Sequence, residues 1–166
     1  MDKEYTVSLF GHRHIDDCTA IERALESAGI ELLTDNDRVS FLIGRDGDFD
    51  IIAASVINRI KKIYDNGSLT WVMPYPKAEY LKDPAAYELY YDNIIVYSKA
   101  THPKTAITER NRHMIDLSDS VIFYVVKRSN DLKGCEVLNF HLSLQYARRG
   151  SERCTWLVSD KARAVP

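Results

Sequence analysis

Four short polar segments hold the residues that could bind or transform a ligand. The first two each follow a β-rich run: Gly11, His12 and Arg13 come after YTVSLF, and GRDGDFD comes after VSFLI. Glycines let a backbone come close to a ligand, and the N–H groups at the start of a helix attract phosphate. Both segments therefore indicate contact with a phosphorylated ligand. The candidates in the second segment are Gly44, Arg45, Asp46, Gly47 and Asp50.

The aspartates of GRDGDFD argue against a simple phosphate cradle, because carboxylates repel anions. One of Asp46, Asp48 and Asp50 is expected to cap the following helix or to bind a ribose hydroxyl. The turn matches neither GxGxxG nor GxxxxGK[ST], so the fingerprints of dinucleotide-binding and P-loop proteins are missing there. A tight strand-to-helix turn that binds no ligand stays open as the alternative.

The third segment is ERNRHMIDLSD. Arg110 and Asn111 precede Met114 by four and three residues, so both should border the inward face of a helix. There Arg110 could make a bidentate contact with a phosphate or a carboxylate. Asp119, just before the next apolar run, is a further candidate for ligand binding, and it could equally anchor a loop. A solvated helix face is the alternative explanation of this charged segment.

The fourth segment, KRSNDLKGCEVLNF, follows the most apolar run of the chain. Gly134 is expected to open a helix, with Glu136 in its first turn. Glu136 could act as a general base or hold a ribose, and it could equally serve only to stabilise the helix dipole. Gly134 is assigned to ligand binding, and Glu136 to catalysis together with Arg110.

The sequence predicts no metal site and no cofactor. His12 and His14 are two residues apart and lack a nearby cysteine or a second histidine pair, so they do not match zinc-site spacings. Cys18, Cys135 and Cys154 are far apart and odd in number, which indicates reduced thiols rather than a disulfide framework.

Helical and strand-like patterns alternate along the chain and must position these segments. Cys18, Ile21, Leu25 and Ala28 share one helical face, which Asp16 or Asp17 could cap and Gly29 could end. This order predicts an α/β fold with a doubly wound, mostly parallel, Rossmann-like sheet and helices on both faces. The carboxyl ends of such strands meet at one edge, where ligands bind. Strands are expected at 5–10, 39–43, 69–73, 93–97, 120–126 and 155–158, with the first and fifth at the sheet centre.

An irregular insertion rich in tyrosine and proline is predicted at about 74–92. It could be a packed surface excursion or a ligand lid with stacking aromatic rings.

Composition limits the classes of function. The 166 residues are 45% hydrophobic and 28% charged, which predicts one globular domain spanning 1–166. The net charge of −2 lacks the basic excess of general duplex-binding proteins, so nucleic acid is not the expected partner. No apolar run is long enough to span a membrane, and the first residues do not resemble a signal peptide. The expected compartment is the cytoplasm.

Taken together, GHR, GRDGDFD before a helix containing AAS, and RNRHMIDLSDSVIFYV resemble the SLOG superfamily. This superfamily joins the LOG cytokinin-activating phosphoribohydrolases, the DprA-like proteins and many bacterial and phage domains. The resemblance covers roughly residues 5–150 and is greatest to the uncharacterised bacterial and phage branch. It implies a Rossmann-like domain that binds a nucleotide or a nucleotide derivative above the strand ends.

The resemblance also implies roles for single residues. In the LOG enzymes an arginine of an RK-x-x-M helix and a glutamate after a PGGxGT turn serve N-glycosidic bond cleavage. Arg110 matches the first, whereas residues 127–136 lack PGGxGT and offer only Glu136. The favoured hypothesis is therefore a nucleotide-binding sensor or sequestering module. A nucleotide N-glycosidic hydrolase or transferase is the alternative.

Single-stranded DNA binding is a third hypothesis, based on the DprA likeness and on the cluster Arg148, Arg149 and Arg153. By analogy with family members, the chain could form a homo-oligomer.

Overall fold

Six parallel strands form one sheet in the computed structural model, which describes residues 4–97, 102, 105–126 and 154–159. The strand order is β4-β3-β2-β1-β5-β6, and every neighbouring pair is parallel. The fold class predicted from the sequence is confirmed. The bounds are β1 Tyr5–Phe10, β2 Val39–Ile43, β3 Gly67–Met73, β4 Asn93–Val96, β5 Ser120–Val126 and β6 Cys154–Ser159.

The order of the strands reverses between β1 and β5. The chain first builds outwards from β1 to β4 and then returns to place β5 on the other side of β1. The first strand is therefore central, as expected, whereas the fifth is an interior strand one place away from the centre. In such sheets the reversal leaves a crevice outside the carboxyl ends of the strands.

Helices cover both faces of the sheet because side chains alternate along each strand. Val7 and Leu9 point into the core shared with α1 and α2, while Phe10 points to the face that packs against α5. The helix expected after Gly134 lies outside the described residues. No helix among the described residues is long and apolar enough to cross a membrane. The helices are α1 Cys18–Asp35, α2 Asp48–Ile60, α3 Ala78–Lys82, α4 Pro84–Tyr90 and α5 Ala106–Leu117.

The first helix begins as expected but continues past the residue expected to end it. Asp17 caps it by accepting a hydrogen bond from the Thr19 N–H. Gly29 is not its end, because the helical ladder continues to Asp35. Gly29 instead provides close packing between α1 and α2, since a Cβ there would lie 2.6 Å from Cδ1 of Ile60.

The insertion at 74–92 is not irregular, because it contains α3 and α4. Its rings pack around Trp71 of β3, which is fully buried. The ring centroids of Tyr87 and Tyr91 lie 5.2 Å and 5.4 Å from that of Trp71, and Tyr80 meets it edge-on at 6.0 Å. Aromatic pairs at these distances stabilise the contact beyond the burial of their area. The contacts favour the packed interpretation of the insertion over a free lid.

Gly11, directly after β1, lies against the first turn of α2. A Cβ at this position would lie 2.2 Å from Cγ of Phe49, in the first turn of α2. Phe49 is fully buried and its ring stacks on that of Tyr124 at 6.0 Å. The ring therefore has little space in which to move away from an added methyl group.

We expect Gly11→Ala to lower the free energy of unfolding by about 1–3 kcal/mol, because a side chain forced into a packed core displaces its neighbours. Urea denaturation measures this change. Ser27→Ala, at an exposed position of α1, is the control and should change the free energy of unfolding by no more than about 0.5 kcal/mol. Equal stability of Gly11→Ala and the native chain would contradict the packing described.

Candidate functional site

A cleft of about 180 Å³ lies beyond the carboxyl ends of β1 and β2, beside α5. It brings together three of the four polar segments singled out in the sequence. Two apolar residues, Phe10 and Ile107, complete the walls. The predicted residues that line it are Gly11, Arg13, Gly44, Asp46, Gly47, Asp50, Arg110 and Asn111.

Arg110 is the buried cation of the cleft. It lies on the inward face of α5 and is 2% exposed. Its Nη1 donates to the carbonyl oxygen of Val72 at 2.8 Å, and its Nη2 donates to Oδ2 of Asp46 at 2.6 Å. Its Nε is buried and has no hydrogen-bond partner among the described residues. Such an orphan donor is rare in proteins, and its usual partners are a water molecule, an ion or a ligand.

Asp46 is held between two cations. Its Oδ2 accepts from Arg110, and its Oδ1 accepts from Nζ of Lys77 at 2.5 Å. Burial on its own would raise the pKa of Asp46. The charge of Arg110 and the hydrogen bond from Lys77 outweigh burial and lower this pKa below its usual value. Asp46 is therefore an ionised carboxylate at neutral pH.

Asp50 is the titratable carboxyl of the cleft. Its Oδ2 accepts the backbone N–H of Asp46 at 2.8 Å. Burial raises the pKa of Asp50 to about 6, although that hydrogen bond and the charge of Arg110 act in the opposite direction. Asp50 thus changes its charge close to neutral pH.

The start of α2 is not an open phosphate cradle. The backbone N–H of Asp48 donates to the carbonyl oxygen of Arg13 at 2.9 Å, and that of Phe49 donates to the carbonyl oxygen of His12 at 3.4 Å. These two N–H groups are therefore already hydrogen-bonded to the loop after β1 and are not available to a phosphate. The N-cap is Gly47, so no aspartate caps this helix by its side chain.

The glycines of the cleft allow protein segments to approach one another. A Cβ on Gly44 would lie 2.6 Å from Nη1 of Arg110, and one on Gly47 would lie 2.6 Å from Cα of Arg13. The space next to each glycine is therefore filled by the protein. Close packing of the protein therefore requires glycine at these positions, whose backbone also lines the cleft.

Three predicted residues lie beside or away from the cleft. His12 meets the ring of Tyr124 edge-on at 5.9 Å, and the guanidinium of Arg45 lies over the ring of Tyr87 at 5.2 Å. Asp119 is at the opposite edge of the sheet, where its Oδ2 accepts the N–H of Thr6 at 3.0 Å. Because Asp119 precedes β5, it ties the starts of two strands together, which favours its role as an anchor.

The fourth segment lies outside the described residues, together with the catalytic candidate Glu136. The same holds for Gly134 and for the basic cluster Arg148, Arg149 and Arg153. Among the described residues, no group of three histidine, cysteine or acidic side chains could hold a metal ion.

Sequence reasoning missed two groups of the site. Lys77 and the carbonyl oxygen of Val72 both contact the pair of Asp46 and Arg110. A backbone carbonyl carries no sequence signal. Lys77 sits after two prolines in a segment without periodicity, so nothing in the pattern pointed it towards the cleft.

The fold has a counterpart among solved structures. No protein-family model and no curated protein sequence matches the chain. The chain is similar to DNA processing protein A (DprA) from Streptococcus pneumoniae, with a TM-score of 0.52 and 14% sequence identity. The chain has a DprA-like, Rossmann-type fold. The similarity covers 93% of this chain and 59% of that one, so this chain spans less than two thirds of the larger protein.

The raised pKa of Asp50 predicts a pH dependence of stability. The folded protein binds this proton more tightly than the unfolded chain does. The stabilisation is therefore present below about pH 4 and is lost as the pH rises through about 6. Asp50→Asn removes the free-energy cost of burying an ionised carboxylate. It should therefore stabilise the protein at pH 8 by on the order of 1–2 kcal/mol. At pH 4, where Asp50 is protonated in the folded protein, the substitution should make no difference.

Denaturant unfolding at both pH values measures this difference. Asp37→Asn, at an exposed position, controls for the loss of one carboxylate. A gain from Asp50→Asn that is the same at pH 4 and pH 8 would show that burial does not raise this pKa.

Proposed function

We propose that this chain binds a nucleotide or a nucleotide-derived molecule in the cleft, as a cytoplasmic sensor or sequestering module. The observation that carries the proposal is the buried guanidinium of Arg110, whose Nε lacks a partner among the described residues at a wall of the cleft. The position at the carboxyl ends of parallel strands is where Rossmann-like folds hold such ligands.

Charge favours a phosphorylated ligand. A buried guanidinium is costly unless its donors are satisfied, and one carboxylate and one carbonyl oxygen leave Nε unused. A phosphate oxygen is a strong acceptor for this donor. The exposed Arg13, which also lines the cleft, supplies a second cation.

The two carboxyl groups favour a sugar next to the phosphate. Asp46 and Asp50 would repel a purely anionic ligand, whereas carboxylate oxygens accept hydrogen bonds from hydroxyl groups. Arginine and aspartate side chains within one cleft therefore suit a molecule that carries phosphate and hydroxyl groups together, as a nucleotide does.

We expect isothermal titration calorimetry to detect binding of at least one of ADP-ribose, NAD and the nucleoside monophosphates. Arg110→Lys keeps the charge but loses the planar fork, so it should weaken that binding at least about tenfold. Arg112→Lys, at an exposed position of the same helix, is the matched control and should bind like the native chain.

Two results of this titration would contradict the proposal. One is the absence of heat with all of these ligands. The other is equal affinity of the Arg110→Lys and Arg112→Lys variants. An oligodeoxynucleotide that binds with a steep salt dependence, while the small ligands do not bind, would instead favour single-stranded DNA as the partner.

Asp50 favours one second candidate function, the cleavage of an N-glycosidic bond. A carboxyl with a pKa of about 6 exchanges its proton near neutral pH, as a general acid or base must. In its ionised form it could activate water or stabilise the positive charge that develops on the sugar.

If the protein is such an enzyme, chromatography of nucleotide mixtures will show released base. Asp50→Asn should then lower the rate at least about a hundredfold, because the amide cannot exchange the proton. Binding without base release would limit the function to ligand binding, and turnover that survives in Asp50→Asn would remove Asp50 from the reaction.

A further inference from the structure

We propose that the 74–92 segment is part of the ligand site, and that its Lys77 is a positioning residue that sets the affinity of the cleft for anions through Asp46. This inference rests on the proposed binding function. It assigns a role to a segment whose residues do not themselves line the cleft.

Lys77, in the segment that follows β3, contacts Asp46, which lines the cleft. Its Nζ donates to the carbonyl oxygen of Arg45 at 2.9 Å and to Oδ1 of Asp46 at 2.5 Å. The side chain is only 16% exposed, so water screens this pair weakly. Asp46 consequently has one cation on each oxygen, Lys77 on Oδ1 and Arg110 on Oδ2.

The position of Lys77 is fixed by the packing of its segment. Tyr80 and Tyr87 follow it and pack against the buried ring of Trp71. A second ion pair joins the same segment to the β2–α2 turn, since Nε of Arg45 lies 3.4 Å from Oε1 of Glu79. The segment thus positions the ammonium group of Lys77 next to the carboxylate of Asp46.

The charge of Lys77 decides how strongly Asp46 opposes an anionic ligand. With Lys77 present, two cations share the carboxylate, and the guanidinium of Arg110 can also attract a phosphate. Without it, Arg110 is the remaining charged partner of Asp46 among the contacts described, so less of the positive charge in the cleft is available to attract a phosphate. Loss of Lys77 should therefore weaken anion binding even though Lys77 need not touch the ligand.

The pKa of Asp50 also depends on the charge of Lys77. The groups that act on it are Asp46 from the β2–α2 turn, Arg110 from α5, and Lys77 and Tyr91 from the 74–92 segment. Burial raises the pKa of Asp50 most, the backbone N–H of Asp46 and the two cations lower it, and the negative charge of Asp46 raises it. Removal of Lys77 should shift the titration of Asp50 to higher pH, and Lys77→Arg, which restores the charge, separates this effect from a change in the burial of Asp50.

The test compares Lys77→Met with Lys82→Met, an exposed lysine of the same segment, and with Lys77→Arg, which restores the charge. Calorimetry at pH 8, with ADP-ribose, NAD and AMP as probes, measures affinity while Asp50 is ionised. Carboxyl ¹³C NMR of the ligand-free protein measures the midpoint of Asp50. Thermal unfolding verifies that each variant is folded.

We expect Lys77→Met to weaken the binding that the native chain shows by about tenfold and to raise the midpoint of Asp50 above about 6. Lys82→Met should leave both unchanged, and Lys77→Arg should restore both. Equal affinity of Lys77→Met and Lys82→Met would overturn the role of Lys77 alone. Weaker binding that Lys77→Arg does not restore would also overturn it, because the charge of Lys77 would then not be the cause. A native chain that binds none of the probes would overturn the proposed function as well.

Discussion

A positive charge buried at the end of a parallel sheet is the constraint on which the rest of this site depends. The guanidinium of Arg110 is 2% exposed, and a charge so placed must be compensated by nearby acceptors. The carbonyl oxygen of Val72 and the carboxylate of Asp46 provide two of them. This requirement links α5 to β3 and to the β2–α2 turn, so the residues that compensate the charge are also those that shape the cleft.

The same arrangement explains why the turn after β2 is rich in glycine, as phosphate-binding loops are, and yet does not leave its N–H groups free for a phosphate. Its glycines accommodate Arg110 and Arg13, and the first N–H groups of α2 are bonded to the loop after β1. The two loops therefore hold each other in place. In the proposed function, recognition of an anion would therefore depend on side chains, above all on Arg110, and on the charges of Asp46, Asp50 and Lys77 around it.

Much of this could be predicted from the sequence, and the limits have physical reasons. Alternating apolar runs predicted the strands, and the spacing from Arg110 to Met114 predicted that Arg110 borders the inward face of its helix. Parallel strands necessarily bring Gly11 and Gly44 to one edge of the sheet. Lys77 could not be found because its contact with Asp46 depends on tertiary packing around Trp71. Asp119 was ambiguous because an acidic residue next to a strand suits an anchor and a ligand contact equally well. Gly29 was expected to end α1, but it lies within the helix. Its lack of a side chain instead allows α1 to pack closely against α2.

The most direct test of the central claim is to follow the Nε–H group of Arg110 by ¹H–¹⁵N NMR while ADP-ribose, NAD or AMP is added. If this donor is held ready for a phosphate, its signal should move with the bound fraction, together with the backbone amides of Gly11 and Gly44. An unchanged Arg110 signal under saturating ligand, with shifts confined to another surface, would contradict the account.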